Sequence, residues 1–264
     1  KPTDAVLGGK AKPQRAAVLG GIEGLKKRLE SSDPQERIVA LQQTVNYGDD
    51  GLKLVKEASY QDRRKLASNS NTPVALLQEL AQDENWEVRL EVCQVVASNS
   101  NTPVALLQQL AQDQSWNVRG EVAENSNTPV ALLQQLAQDE SWDVRMGVAE
   151  NSNTPVALLQ QLAQDEDGVV REGVAKNSNT PEETLQQLAQ DEDRVVRGEV
   201  AENSNTPVAL LQQLAQDEDL EVRRKVASIS NTPEEALQQL AQDEDGVVRE
   251  EVASNSNTPV ALLQ

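Results

Sequence analysis

The 264 residues contain no His, no Phe, one Cys and 2% aromatics, which removes the commonest general base and metal ligand and leaves neither an internal disulfide nor a thiolate cluster. The formal net charge of −19 is uneven: residues 1–66 carry 13 Lys and Arg against 9 Asp and Glu, net +4, and residues 67–264 carry 11 against 34, net −23. The long acidic part repels a phosphate backbone, so no nucleic-acid partner is expected; no apolar run reaches the roughly 18 residues of a membrane span and no signal-peptide core is present, so no membrane insertion and a cytoplasmic location are expected.

Residues 1–21 read as a flexible leader. Val6–Gly9 and Val18–Gly21 both spell Val-Leu-Gly-Gly, prolines stand at 2 and 13, and no helical period runs through them. A chain starting at Lys1 is expected to be a fragment or a processed product. Ile22, Leu25 and Leu29 then share one face of a short helix. Ser32 or Asp33 can cap the next, with Pro34 in its first turn, where a missing N–H costs nothing. Ile38, Leu41 and Val45 make its stripe, and Gly48 is placed to end it. Leu52 and Val55 predict a third helix. Residues 22–66 are therefore expected to form a helical cap over the open face of the repeats.

From residue 67 to 264 the chain is periodic. Asn-Thr-Pro recurs with Pro73, Pro103, Pro129, Pro155, Pro181, Pro207, Pro233 and Pro259, first at an interval of 30 residues and then of 26. A fixed period of this length signals units that share one continuous core. Each unit has two parts. The first is a helix of about eleven residues, with Thr128 as N-cap, Pro129 as first helical residue, and Val130, Leu133, Leu136 and Ala137 as an apolar stripe widened by Leu132. Thr180 with Glu183, and Thr232 with Glu235, have capping-box spacing. The second part is shorter and partly 3₁₀ in expectation. It is capped by an Asp of a run such as Asp165-Glu166-Asp167 and turns Val170, Val174 and Ala175 inward. Asn177 and Asn179 make the return, Asn being tolerant of a left-handed cap. The 30-residue unit has four extra residues near Cys93, about one helical turn, and predicts a lengthened second helix with Cys93 buried and inert among Val92, Val95 and Val96. The array is expected to be truncated, since Gln264 falls inside a helical pattern.

Val118–Asp139 spells Val-Arg-x-x-Val-Ala-x-Asn-x-Asn-Thr-Pro-x-x-x-Leu-x-x-Leu-Ala-x-Asp. This pattern, recurring in every unit from about Ala67, resembles the leucine-rich repeat variant (LRV) family. The resemblance implies an all-α fold, a right-handed α-solenoid of alternating α- and 3₁₀-helices. Family repeats are typically 24 residues long; the two extra residues here fall in the Gln-Asp-Glu loop. One family member carries a cysteine-rich iron–sulfur module, and with Cys93 alone no such cofactor is expected. The segment from Ala17 to Leu29, with Asn46-Tyr47-Gly48 and Gly51-Leu52, looks like a leader found before HEAT-like repeat modules in cyanobacterial proteins. The family has no shared activity, so the resemblance implies a binding habit and not a reaction.

Within the array the first helix hardly changes, and variation gathers around Val-Arg. Two residues before that Val stand Trp86, Trp116, Trp142, Gly168, Arg194, Leu220 and Gly246; just after Arg come pairs such as Met146-Gly147 and Arg224-Lys225. A constant frame with one variable stripe is how a solenoid presents a binding surface; neutral drift at exposed positions gives the same pattern. Trp86, Trp116, Trp142, Met146, Arg194, Leu220, Arg224 and Lys225 are the candidate partner-binding residues. The three Trp would stack as a ladder, either as an exposed hot-spot patch or as core between repeats; Gly168 and Gly246 at the same position argue for exposure. Arg89, Arg119, Arg145, Arg171, Arg197, Arg223 and Arg249 each follow an Asp by six residues, which predicts a structural ladder of Arg–Asp or Arg–carbonyl bonds, with an anion-binding row as the alternative. Asp165–Gly168 and Asp243–Gly246 superficially suit calcium but lack the spaced ligands of a calcium loop; helix capping accounts for them. The expected function is a non-enzymatic protein-interaction scaffold, without cofactor, for a protein partner with basic patches. The alternative is a structural linker or spacer that contacts its assembly through the basic N-terminal segment.

Overall fold

A computed structural model describes residues 20–97 and 104–262. Among them every regular element is a helix, and the fold is an all-α solenoid. The described residues form two compact units that divide between Leu110 and Ala111. The expected leader lies outside the described residues apart from Gly20 and Gly21, as do the Asn101-Thr102-Pro103 motif and the last two residues.

The first unit contains α1 (Gly21–Leu29), α2 (Pro34–Gln43), a 3₁₀ turn (Thr44–Tyr47), α3 (Gly48–Glu57), α4 (Tyr60–Ala67), α5 (Val74–Leu80), α6 (Trp86–Ala97) and α7 (Val104–Leu110). Asp33 caps α2 by accepting from the Gln35 amide, with Pro34 at the first position. Leu25, Ala40 and Leu54 are buried together, with Ile22, Leu29 and Tyr47 packed against them. Gly51 is required where α3 crosses the 3₁₀ turn, because a Cβ there would lie 2.0 Å from the Thr44 carbonyl oxygen. Val45, expected in the α2 stripe, sits in that turn and is exposed. Helix α4 was not legible: Tyr60 to Lys65 is polar, and only Leu66 and Ala67 enter the core. The lengthened second helix is present as the twelve-residue α6, and Cys93 is buried in it.

The second unit repeats one pair of helices: α8 (Trp116–Glu124), α9 (Val130–Leu136), α10 (Trp142–Glu150), α11 (Val156–Leu162), α12 (Gly168–Lys176), α13 (Glu182–Leu188), α14 (Arg194–Glu202), α15 (Val208–Leu214), α16 (Leu220–Ser228), α17 (Glu234–Leu240) and α18 (Gly246–Ser254), then a 3₁₀ turn (Val260–Leu262). The even-numbered helices pack successively on one another. The core is aliphatic, as the composition requires: Leu132, Leu133 and Leu136 of α9 and Ala137 at its C-cap are buried with Val144, Val148 and Ala149 of α10, and the set recurs along the unit with Thr184 and Ala236 at the Leu132 position. Each fully buried Leu or Val contributes roughly 1.5–3 kcal/mol of transfer free energy. Gly147 brings α10 close to α8, since a Cβ there would lie 3.1 Å from that of Ala123.

Five local expectations are corrected. In the second unit the odd-numbered helices have seven residues, not eleven, and the even-numbered ones have nine and are α-helical. Pro129 is the N-cap, with extended ψ of 146°, and Val130 is the first helical residue, exposed and not part of the stripe. Thr128 caps backwards: its hydroxyl donates to the Val122 carbonyl at 2.6 Å, closing α8 rather than opening α9. The capping boxes do not form, because Pro181 and Pro233 hold the N-cap positions without a side-chain bond; Thr180 donates to the Val174 carbonyl and Thr232 to that of Val226. Asn177 has φ −69° and ψ 122°, so it ends α12 in an extended and not a left-handed conformation. Positive φ among the described residues belongs to glycine alone.

Candidate interaction surface

Two side-chain ladders hold the repeats of the second unit in register. Arg171 donates from Nε and Nη2 to Asp191 at 2.6 and 2.9 Å, and from Nη1 to the carbonyls of Asp165 and Glu166 at 2.8 and 3.2 Å. Arg119, Arg145, Arg197 and Arg223 bind Asp139, Asp165, Asp217 and Asp243 in the same way. The carboxylate partner therefore lies one repeat forward, and the Asp six residues earlier gives only its carbonyl. In the first unit Arg63 makes the equivalent bond to Asp83, and Arg37 to Asp62. The charges are matched within the ladder, so it is structural and not an anion row. Burial pushes the Asp191 carboxyl up, yet hydrogen bonds from Arg171 and the Asp193 amide, with the charges of Arg171 and Arg197, hold it below the ordinary carboxylate range. The acidic loops serve as caps: Asp165 accepts from the Asp167 amide, and Asp167 from that of Val169. Among the described residues no group of three or more such side chains is placed to hold a metal ion.

The second ladder is of asparagines. Asn177 donates from Nδ2 to the carbonyls of Ala149 and Asn151 at 2.6 and 3.0 Å, and its Oδ1 accepts from the Asn179 amide. Asn151, Asn203 and Asn255 repeat this set. At Asn125 the buried amide nitrogen has no partner among the described residues.

The variable positions lie on the even-numbered helices. Trp116 and Trp142 are the first residues of α8 and α10, 47% and 42% exposed; Trp86, first in α6 of the other unit, is 39% exposed. They are surface residues, not core. Met146 is half-buried one turn beyond Trp142. Leu220 is exposed, and Arg194 reaches to 3.9 Å from Asp219. Arg224 and Lys225 are engaged within the chain: Arg224 bonds Glu221 and Glu251, and Lys225 bonds Glu199 and Glu202. They fasten α14, α16 and α18 to one another. Around the two Trp the balance differs. Partial burial, followed by Glu121, Glu150 and Asp143, pushes the Glu124 carboxyl up; burial and then Asp167 do the same to Asp143.

The sequence model of HEAT repeats matches residues 73–125, and that of the leucine-rich repeat variant matches residues 116–141, 142–167 and 168–193. A solved structure described as a leucine-rich repeat variant with a novel repetitive structural motif is 30% identical, with 78% of this chain and 79% of that one covered and a TM-score of 0.59. The chain belongs to the leucine-rich repeat variant family. An engineered protein (17% identity, 95% and 82% covered, TM-score 0.37) and a designed armadillo repeat protein (17%, 87% and 96%, 0.25) are more distant. No curated protein matches.

In this LRV chain one feature of the surface escapes a reading by aligned positions. Valines follow the variable position where no large apolar residue fills it: Val169 after Gly168, Val195 after Arg194 and Val247 after Gly246, all exposed. The signal was present in pairs of neighbours and absent from either column alone. Among the described residues no LRV helix is long and apolar enough to cross a membrane.

Proposed function

We propose that the chain is a non-enzymatic protein-interaction scaffold, with its contact surface on the even-numbered helices of the second unit and its centre at Trp116 and Trp142. The observation that carries this reading is the exposure of two tryptophans on two packed helices that also carry Glu124, Asp143 and Glu150. Half-exposed Trp contributes nothing to the core in proportion to its size, and it is a favoured anchor in protein interfaces. Met146 and Leu220 extend the apolar area, and Trp86 offers a similar anchor on the first unit. The acidic surroundings favour a basic partner and disfavour nucleic acid.

Quantitative affinity capture from the source cells, with wild type and a W116A/W142A variant, tests the reading. A partner retained by wild type and lost by the variant, with unchanged circular dichroism, supports it. Retention by the variant, with loss on reversing Lys26, Lys27 and Arg28 of α1 to Glu, makes the array a spacer held through its basic segment.

A further inference from the structure

The first two residues of each even-numbered helix in the second unit form complementary pairs: Trp116-Asn117, Trp142-Asp143, Gly168-Val169, Arg194-Val195, Leu220-Glu221 and Gly246-Val247. Each pair supplies one large apolar side chain, between 37% and 49% exposed, so an apolar row runs the length of the unit. An acidic row accompanies it. Glu140, Glu166, Glu192, Glu218 and Glu244 stand just before five of these pairs, with Gln114 before the first; the side chains of Glu140, Glu192 and Glu244 are 92% exposed, at 3.8–3.9 Å from Arg119, Arg171 and Arg223. A shallow notch opens between two successive repeats, where Glu192, Asp193, Glu218 and Asp219 share the wall with Arg194 and Arg197. One repeat earlier, a Cβ on Gly168 would lie 3.0 Å from Asp193 Oδ2, so the variable position abuts the capping carboxylate of the next repeat.

The chain itself shows what fits. Arg194 occupies its notch with a guanidinium 3.9 Å from Asp219, whereas Gly168, which faces Asp193, brings no side chain. Packed helices advance by about 8–10 Å per repeat, and one turn of a polyproline II segment, three residues at about 3.1 Å each, covers the same distance. Residues three apart in such a segment face the same way, so one triplet meets one repeat.

Resting on the scaffold reading above, we propose that this row binds an extended, basic peptide segment, with one Lys or Arg per triplet in the acidic notches and an apolar residue of each triplet on the row of Trp116, Trp142, Val169, Val195, Leu220 and Val247. A helical partner would advance about six residues per repeat, which is not a whole number of 3.6-residue turns, so successive repeats would meet different faces of it.

The test is selection of random peptides of about 15 residues, the length of five triplets, against the full chain, with W116A/W142A as counter-screen. A synthetic peptide of five Arg-Pro-Val triplets is titrated alongside, followed by Trp emission. Enrichment of Trp-dependent sequences with basic residues at a period of three, and saturable binding of the synthetic peptide, is the expected result. E140Q/E192Q/E218Q should weaken that binding about tenfold by loss of charge complementarity. R194A should strengthen it several-fold, by more than K53A, which makes the same charge change on the other unit. Trp-dependent sequences that are not basic, or whose apolar residues recur with the helical period of about 3.6, overturn this proposal and leave the scaffold reading standing. Enrichment that the Trp variant does not reduce overturns both. Equal binding of an Arg-Pro-Ser peptide overturns the role of the apolar row.

Discussion

The ladder side of the second unit and the face that carries Trp116 and Trp142 belong to the same repeats and obey opposite rules. On the ladder side the recurring partners stand at fixed offsets: 20 residues forward for Arg119 to Arg223, and 28 and 26 back for Asn151, Asn177, Asn203 and Asn255. On the open face, side chains of every class occupy equivalent positions, from Trp to Gly to Arg. Near-invariance between repeats therefore follows hydrogen-bond demand, and the variable positions are those that the two ladders do not use.

The largest expected effect is on the ladder. Arg171→Met leaves Asp191 as a buried charge without its partner and should cost about 3–5 kcal/mol in urea unfolding followed by circular dichroism. Arg249, exposed and bonded to the carbonyls of Asp243 and Glu244, should lose only a fraction of that as Arg249→Met. Equal losses would show that the carboxylate pairing adds nothing. Next is Asn177→Asp, which keeps Oδ1 and replaces the donor by an oxygen facing two carbonyls; roughly 2–3 kcal/mol is expected. Asn125→Asp should cost much less, because that nitrogen has no acceptor among the described residues.

Acid should act on the same side. The carboxyls of Asp139, Asp165, Asp191 and Asp243 are held below their ordinary range in the folded chain, by hydrogen bonds and the charge of their Arg partners against the effect of burial. A depressed folded value gives stability that is complete above the unfolded value near 3.9 and is lost as pH falls through the folded one. Urea midpoints should therefore fall below about pH 4, and Asp191→Asn should reduce that dependence.

The open face should hardly respond. Trp142→Ala is expected within about 0.5–1 kcal/mol of wild type; a loss as large as that of Arg171→Met would return the tryptophan to the core and break the contrast. Smallest, and opposite in sign, is Glu124→Gln. A raised folded value makes the ionised form unfavourable above that value and without effect below the unfolded one. The variant should melt up to about 2 °C higher at pH 7 and no higher at pH 3.

The sequence exposed the period, the aliphatic core and the Asp caps, because each is repeated in place and needs only local geometry. It hid the direction of the bonds. Arg171 stands six residues from one Asp and twenty from the next, and spacing alone cannot say which supplies carboxylate and which carbonyl. Thr128 stands where an N-cap belongs, but Pro129 already imposes the extended entry to α9, so the hydroxyl turns back to Val122. Val130 fits the apolar period yet lies exposed in the first turn of a helix too short to bury its whole stripe. The variable positions were legible in the sequence, and the glycines at equivalent positions pointed to the exposure of the tryptophans; the exposed valines were missed because they alternate with the variable position between adjacent residues.

The opposed reach of the two ladders constrains how such a chain can change in length. A repeat holds the one ahead through Arg and the one behind through Asn, so a tandem duplication of 26 residues that carries one ladder Arg, its Asp and one ladder Asn closes into both ladders. A gain or loss of one residue would displace the donors and acceptors whose bonds span it. Change by whole repeats therefore disturbs the fewest bonds in this molecule.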